Sequence, residues 1–334
     1  MYSKFLSFRN FSTKNTAISS LNKLLKELPQ RDAVMISNQA VKWTVNELDL
    51  YTTAFAKHLV EMNVPKQSKM LIWSDVNHSA EIVCATLGAW KAGLTVVHSE
   101  FENIEEIKSI LEKDQDIEAM MFSPFNQIEN KSRLDHLNGI TLPNHTIQIS
   151  HKSLPGMAKF KQAFNYSTGF NTNIELPEIQ EDWNAFEIVR SDGSLSFSHS
   201  DIMSKIHNSN NSLTYSTVIN SAPGFYPISF TLGFLNNLLN KNYTVFPGTY
   251  SLNEILKLVN NQKAQQFICE GNLLDIKADE NRAIEISKNT QDVNSLVIFG
   301  DKDELQSKDT SFLQKCFPNA TFSYYDEYKM QNFH

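Results

Sequence analysis

Ser198, His199 and Asp201 place the three residue types of a serine-nucleophile relay within four consecutive positions. In such a relay a histidine removes the serine proton while a carboxylate holds the imidazole. Side chains this close together at the start of a helix cannot form that geometry, and helix capping by Ser198 and Asp201 explains the same pattern. We therefore assign no nucleophile to this segment.

The histidines and cysteines show none of the usual spacings of a metal site. The chain has nine histidines and three cysteines, without an HExxH, His-x-His or CxxC motif. Cys84 and Cys269 stand in apolar runs and are predicted to be core thiols. Cys316 lies near the end of a predicted helix, and we expect it to be less buried than the other two.

Acidic and aromatic residues cluster near the C-terminus. Asp326 and Glu327 are interpreted as solvated loop charges. The aromatic residues of this segment fit either a strand that pairs within its sheet or a surface for a partner, and both readings stay open: Phe322, Tyr324, Tyr325 and Tyr328.

Length and composition limit the kinds of protein this chain can be. At about 150 residues per domain, 334 residues favour two compact units. With 30 basic and 37 acidic residues the net charge is −7, which argues against a nucleic-acid-binding domain. Three widely separated cysteines argue against a zinc finger and a secreted disulfide scaffold, and favour a reducing compartment.

The N-terminus differs from the rest of the chain. The first 26 residues contain no Asp or Glu but include five basic residues among serines and phenylalanines. This composition is typical of a mitochondrial transit peptide. We expect residues 1–16 to be a mitochondrial leader and the protein to be mitochondrial. A disordered basic tail on a cytosolic protein is the alternative.

No segment has the sequence of a membrane span. The longest stretch without Asp, Glu, Lys or Arg covers residues 206–240, but polar residues, Pro223 and Pro227 interrupt it. A span needs roughly 20 predominantly apolar residues. Membrane contact is therefore expected to be peripheral at most.

Short apolar runs alternate with helical patterns from residue 33 onward. Thr44 and Glu47 form a capping-box pattern that predicts a helix to about residue 62, and Gly93 predicts the end of a helix over 79–92. Other helices are predicted over 105–111, 198–207, 228–239, 252–260 and 303–316. Strands are predicted over 69–73, 95–97, 117–122, 185–189, 216–221, 243–246, 266–270, 294–300 and 320–325. This alternation predicts an α/β fold with two mostly parallel βα-layered subdomains, 17–183 and 184–334.

Five segments keep a characteristic order and spacing. The clearest has Asn77 and Glu81 followed by Gly88, Lys91 and Gly93 in the pattern a-x-l-G-a-x-K-a-G. The complete set comprises WTVNELDLYTTAFAKHLVEMNV (43–64), VNHSAEIVCATLGAWKAGLTVV (76–97), SAPGFYPISFTLGFLNNLLNKNYTVF (221–246), SLVIFGDKDEL (295–305) and FPNATFSYYDEY (317–328). In this order they resemble the adenylate-forming enzymes, which include acyl-CoA synthetases, adenylation domains and luciferases. The resemblance implies the fold of their large domain.

The chain departs from that family at the phosphate loop. The family pattern is Y-T-S-G-T-T-G-x-P-K-G, followed by a short strand ending in T-H, and it binds the phosphates of ATP. Here the corresponding residues are VRSDGSLSFSHSD (189–201), in which Ser198 and His199 resemble the closing T-H. The loop is shorter, keeps only Gly193, has no lysine and places Asp192 where an anion would bind. The resemblance therefore implies a disabled loop.

Other departures agree with this interpretation. The acyl-pocket segment has Phe225 and Tyr226 without the family's histidine, and Glu327 is the only candidate for its Mg²⁺-binding acid. The chain ends at His334, before the family's ribose-binding acid, hinge and small C-terminal domain with its catalytic lysine. We expect that small domain to be absent. We also expect no catalytic, cofactor-binding or metal-binding residues and no cofactor.

These observations predict a catalytically inactive acyl-CoA synthetase-like protein. Its expected role is that of a structural or accessory subunit of a mitochondrial assembly, an inner-membrane respiratory complex being one such assembly, with other protein subunits as partners. One alternative is a non-catalytic module that binds an acyl group, CoA or a nucleotide. Another is an acyl-CoA ligase completed by a second chain.

Overall fold

The computed structural model contains helices and strands in alternation, as the sequence predicts. It describes residues 15–98, 104–126, 131–132, 139–150, 154–164, 173–190, 193–209, 214, 216–222, 227–249, 251–271, 280–300, 310–326 and 331–333. The α-helices are α1 (Ala17–Glu27), α2 (Val45–Glu61), α3 (Ser79–Ala92), α4 (Ile104–Lys113), α5 (His199–Asn208), α6 (Asn236–Leu239), α7 (Leu252–Asn261), α8 (Glu280–Asn289) and α9 (Thr310–Cys316). Two 3₁₀ helices cover Val76–His78 and Phe160–Phe164, and a π-helix covers Ser229–Leu235.

The strands of the described residues form two large sheets and one small hairpin. They are β1 (Asp32–Ile36), β2 (Val41–Thr44), β3 (Lys69–Trp73), β4 (Thr95–His98), β5 (Ile117–Phe122), β6 (Phe125–Asn126), β7 (Lys131–Ser132), β8 (His145–Gln148), β9 (Ala158–Lys159), β10 (Asn184–Arg190), β11 (Gly193–Ser198), β12 (Thr217–Asn220), β13 (Tyr243–Phe246), β14 (Gln266–Glu270), β15 (Ser295–Gly300), β16 (Thr321–Asp326) and β17 (Gln331–Phe333). The eight-stranded sheet has the order β17-β16-β15-β14-β12-β13-β1-β2, and the seven-stranded sheet β11-β10-β4-β3-β5-β8-β9. Only the β1–β2, β16–β17 and β10–β11 pairs within them are antiparallel. The predicted α/β fold with two mostly parallel sheets is confirmed.

The two sheets exchange strands relative to the predicted division between residues 183 and 184. Strand β1 lies in parallel beside β13, with Val34 opposite Thr244. Strand β10 lies in parallel beside β4, with Phe186 opposite Val96. Each strand thus joins the sheet formed mainly by the other half of the chain. Phe186 of β10 is completely buried in the core there. The boundary at 183/184 therefore does not describe which strands share a sheet.

Helices α2 and α3 pack against each other and begin and end where their residues predict. The Thr44 hydroxyl accepts a hydrogen bond from the Glu47 backbone N–H at 3.2 Å, and the Glu47 carboxylate accepts one from Thr44 N at 2.8 Å. Gly93 ends α3 with φ +80°, a conformation that favours glycine. A Cβ at this position would also lie 2.9 Å from the Trp183 ring.

Lys91 fastens α3 to α2 from within the core. Its Nζ donates to Asp49 Oδ1 at 2.7 Å and to the hydroxyls of Thr52 and Thr53, both at 2.8 Å. Burial lowers the pKa of Lys91, and the neighbouring Asp49 carboxylate acts in the opposite direction. The ammonium group is thus a buried charge whose donors are all directed to oxygen atoms of α2.

Helix α1 was not predicted from the sequence. Thr16 and Ser19 cap its start, and Ala17, Leu21 and Leu24 are buried on one side. The helix begins directly after the predicted leader, whose residues 1–14 lie outside the described residues. The transit-peptide assignment stays a prediction.

Two expectations about individual side chains were wrong, and one alternative is resolved. Cys316 is 1% exposed because its helix packs against the eight-stranded sheet, and Cys84 and Cys269 are buried as predicted. Asp326 is buried as the last residue of β16, not solvated, whereas Glu327 lies outside the described residues. Phe322, Tyr324 and Tyr325 lie on β16, between β15 and β17, which favours the strand reading. Tyr328 is not among the described residues.

In the part of the chain that the structure describes, no helix is long and apolar enough to cross a membrane.

Candidate functional site: two sheet edges

Most of the segment that resembles a phosphate loop lies in two paired strands. Strands β10 and β11 are antiparallel, and their pairing continues to Arg190 opposite Gly193. Residues 191 and 192 stand between these paired ends in the sequence. Both, including Asp192, lie outside the described residues. Gly193 has φ +139°, a conformation that glycine adopts readily.

The described residues beside positions 191 and 192 belong to strand pairs. A phosphate loop binds its anion through successive backbone N–H groups that converge on a concave site. Here Val189 and Arg190 pair with Ser194 and Gly193, so the flanking backbone belongs to the sheet. The described residues on both sides of positions 191 and 192 therefore belong to the sheet rather than to a concave anion site.

Charged groups hold β10 firmly in the sheet beneath this turn. Lys69 Nζ donates to Glu187 at 3.0 Å and to Asp114 at 2.7 Å. Burial lowers the pKa of Lys69, but the two carboxylates outweigh burial and raise it overall. Ser196 of β11 also donates to Glu187, at 3.3 Å. The hairpin is consequently tied to β3 and to the loop before β5.

The predicted capping role of Ser198 and Asp201 is confirmed. Ser198 Oγ accepts from Asp201 N at 3.1 Å, and Asp201 Oδ2 accepts from Ser198 N at 2.9 Å. His199 points into the core instead, 1% exposed, with its ring edge-on to Trp90 at 5.3 Å. Among the described residues its Nδ1 has no hydrogen-bond partner, and burial lowers its pKa to about 4. These residues do not form a relay.

Aromatic side chains fill the space between the sheets beside His199. Trp90 contacts Phe186 and Phe230 with ring centroids 4.9 and 5.4 Å away. The contacts continue from Phe230 to Phe234 at 5.4 Å and from Phe234 to Phe246 at 5.7 Å. Phe230 and Phe234 belong to segment 221–246, which the resemblance places at the border of an acyl pocket, and both are fully buried in this aromatic core. Phe225 and Tyr226 lie outside the described residues.

The helix that carries Phe230 and Phe234 contains a π-helical segment. The sequence predicts one helix over 228–239, but residues 229–235 are π-helical. The Asn237 amide donates to the carbonyls of Leu232 and Gly233, at 3.3 and 3.0 Å. A Cβ on Gly233 would lie 2.5 Å from Asn220 Nδ2. Glycine thus permits the close approach of this helix to β12.

The carboxyl edge of the eight-stranded sheet is only partly described. Its strand order reverses between β12 and β14, the position at which ligands bind in open α/β sheets. Ser221 Oγ donates to the Ile268 carbonyl at 2.9 Å. This hydrogen bond joins the end of β12 to β14. The segments after β14, β15 and β16, including Glu327, fall outside the described residues.

The seven-stranded sheet has its own reversal, between β3 and β5, and polar residues lie there. Ser123 directly follows β5, and His78 ends the 3₁₀ helix after β3. Ser123 Oγ is 3.2 Å from His78 Nε2, and His78 Nδ1 is 4.0 Å from Glu81 Oε2. Gln39 Nε2 donates to the same Glu81 oxygen at 2.7 Å. We call Gln39, His78, Glu81 and Ser123 the His78 cluster.

Backbone contacts fix the position of the His78 cluster. The Asp75 side chain and backbone carbonyl accept from Asn77 N and His78 N, at 3.0 and 2.9 Å. Asn38 Nδ2 donates to the Asn77 carbonyl at 3.1 Å, and Gln39 Oε1 accepts from Ala80 N at 2.9 Å. The turn after β1 of one sheet therefore supports the helix start of the other.

Sequence reasoning did not find this cluster. Its members come from the turn after β1, the start of α3 and the end of β5, so no local motif contains them. The available signal was the predicted end of two parallel strands, at residues 73 and 122, each followed by polar residues. Neighbouring parallel strands bring such residues to one edge of the sheet.

Two other kinds of chemistry lack support among the described residues. No group of three or more His, Cys, Asp or Glu side chains there could hold a metal ion. All three cysteines are buried, and burial raises the pKa of the Cys84 thiol. A reactive thiolate is therefore not expected at this position.

Comparison with known proteins identifies the fold. No protein-family model matches the chain, and no curated protein matches it significantly. Among solved structures, it is similar to a Mycobacterium tuberculosis fatty acyl CoA synthetase, with a TM-score of 0.73 and 13% identity over 92% of this chain. Coronafacic acid ligase from Pectobacterium brasiliense gives a TM-score of 0.72 and 14% identity over 93% of this chain.

A third similar structure contains an adenylate. It is the anthranilate CoA ligase AuaEII in complex with anthranoyl-AMP, with a TM-score of 0.73 and 13% identity over 94% of this chain. The chain spans only 59–60% of the length of these three proteins. It therefore has the fold of the large domain of adenylate-forming enzymes, and the predicted resemblance is confirmed at the level of fold.

Proposed function

We propose that this protein uses the adenylate-forming fold without its chemistry, as a structural or accessory subunit of a mitochondrial assembly. The observation that carries the proposal is the β10–β11 pairing up to Arg190 and Gly193, which leaves two residues where the family has its phosphate loop. The acid-free, basic N-terminal segment supports the mitochondrial setting. The expected partners are other protein subunits.

Two alternative functions have less support. A non-catalytic acyl-binding module needs an open pocket, but Phe230 and Phe234 are packed into the aromatic core. A ligase completed by a second chain still needs a phosphate loop in this chain. Since residues 189–194 lie in or between paired strands, a second chain would have to supply all of the phosphate contacts.

Native purification tests the accessory-subunit proposal. The full chain with a C-terminal tag is purified from mitochondria in mild detergent, and co-purifying proteins are quantified by mass spectrometry. We expect a defined set of partners at fixed stoichiometry in the mitochondrial fraction. A lone chain in the cytosol, or one in mitochondria without stoichiometric partners, would overturn the proposal.

A further inference from the structure

We propose that Ser123 is a nucleophile for small acyl esters or thioesters, with His78 as its general base. The inference is independent of the function proposed above, because it concerns the ends of β3 and β5 and not the β10–β11 hairpin. It rests on the juxtaposition of Ser123, His78 and Glu81 at a strand-order reversal.

The distances suit proton transfer from the serine. Ser123 Oγ and His78 Nε2 are 3.2 Å apart, within the range expected of a nucleophile and its base without substrate. In the tautomer that accepts the Ser123 proton, Nδ1 carries the other proton and lies 4.0 Å from Glu81 Oε2. This separation places the carboxylate near the base but is longer than a hydrogen bond.

Other residues position the carboxylate. Gln39 Nε2 holds Glu81 Oε2 at 2.7 Å, and Gln39 Oε1 is itself fixed by Ala80 N. Glu81 and Gln39 are therefore positioning residues rather than catalytic ones. A third group that orients the base completes the arrangement seen in serine nucleophiles.

The surroundings of the His78 cluster restrict access by water. Ser123 is 2% exposed, and the side chains of His78 and Glu81 are 12% and 19% exposed. Trp73 and Phe122, which end the strands below it, stack with their rings 6.3 Å apart. A serine this deeply buried favours a small uncharged acyl group over a charged substrate.

The reaction balances without a cofactor. Ser123 Oγ attacks the acyl carbonyl carbon while its proton passes to His78 Nε2. The bond from the acyl carbon to the alcohol or thiol breaks, and the leaving group takes the proton from His78. Water then attacks the acyl carbon while His78 accepts its proton. The bond from the acyl carbon to Ser123 Oγ breaks, His78 returns the proton to Oγ, and the carboxylic acid leaves.

Labelling with a fluorophosphonate, followed by intact-mass and peptide analysis, tests this proposal on the full chain. We expect one adduct per chain, located on Ser123. Ser123→Ala removes it, and His78→Gln lowers the labelling rate at least 100-fold, as expected for loss of the general base. Ser79→Ala is the matched control, since Ser79 is 3% exposed and bonds only within its own turn. It should keep the wild-type rate.

The outcome does not depend on whether a variant folds. The location of the adduct in the unmodified chain is itself decisive, and absence of an adduct on Ser123 overturns the proposal. Glu81→Ala should slow labelling about tenfold, and Glu81→Asp should restore part of the rate, which a purely structural role would not require. Equal rates in the unmodified chain and His78→Gln would also contradict the proposal. Neither result bears on ATP binding, so the two proposals fail separately.

Discussion

Two places along the carboxyl edge of the seven-stranded sheet have opposite chemical content. Around the β10–β11 hairpin, where the family resemblance implies phosphate chemistry, the chain has a two-residue connection and a buried His199. At the β3–β5 edge, where the resemblance implies none, His78 contacts a serine hydroxyl and lies near a carboxylate. Both places lie at the carboxyl ends of parallel strands of one sheet, so the residues placed there decide what each can do.

Two histidines make the difference concrete. His199 is surrounded by aromatic rings and its pKa falls to about 4 because burial disfavours the charged imidazolium. His78 is partly exposed, and both of its ring nitrogens face polar partners. Burial alone makes a histidine part of the core, whereas a serine on one nitrogen and a carboxylate near the other make it a candidate base.

Loss of the Lys91 anchor should disturb both regions, because α3 carries Trp90 at one end and Glu81 at the other. Lys91→Met leaves Asp49, Thr52 and Thr53 without their shared donor. We expect the free energy of unfolding to fall by roughly 2–3 kcal/mol, measured by urea denaturation. This is below the value of about 3–5 kcal/mol for a fully buried pair, since the Asp49 side chain is 31% exposed.

The Lys42–Asp32 pair offers the matched control for this substitution. Its side chains are 54% and 47% exposed, and exposed pairs contribute about 0–1 kcal/mol. Lys42→Met should therefore change the free energy of unfolding by less than about 1 kcal/mol. Equal losses in the two variants would show that Lys91 does not anchor α3.

Acid should lower the free energy of unfolding, because His199 is buried as a neutral group. A core made only of apolar side chains would not show this pH dependence. The unfolded chain protonates His199 near its ordinary pKa of 6.5, whereas the native state resists protonation until about pH 4. Stability from this group is thus complete above pH 6.5 and is lost as the pH falls from 6.5 towards 4. One pKa unit corresponds to about 1.4 kcal/mol, so we expect a loss of about 2 kcal/mol between pH 7 and pH 5.

His199→Phe should remove that contribution. Urea denaturation of both proteins at pH 7 measures how the substitution changes packing. The loss of free energy of unfolding between pH 7 and pH 5, compared between the two proteins, measures the contribution of His199 titration. Burial also lowers the pKa of His58, but this group titrates in both proteins and cancels. If both proteins lose the same free energy over this range, His199 is not buried as a neutral group.

Local signals in the sequence predicted the elements well. The Thr44–Glu47 capping box and Gly93 gave the start of α2 and the end of α3, because capping depends on neighbouring residues. Strand pairing depends on residues far apart, so the exchange of β1 and β10 between the sheets was not visible. The π-helix was missed because its carbonyls accept hydrogen bonds from side chains outside the helical segment. The Asn220 amide donates to the Ser229 carbonyl, and the Asn237 amide donates to the Gly233 carbonyl.

The candidate sites show the same division. A disabled phosphate loop was predicted from one continuous segment, 189–201, and it stays a prediction, which the β10–β11 pairing beside residues 191 and 192 supports. The His78 cluster joins residues from three elements that meet only after both sheets form. No spacing along the chain could have predicted it.

Binding of ATP is the most direct test of the claim that the adenylate-forming fold here lacks its phosphate site. Isothermal titration of the full chain with MgATP, and a search for acyl-AMP after adding fatty acids of several lengths, require no variant. Because only two residues join Arg190 to Gly193, we predict no binding heat at millimolar ATP and no acyl-AMP. Saturable ATP binding at micromolar concentrations, or release of acyl-AMP, would contradict the claim and restore the enzyme interpretation.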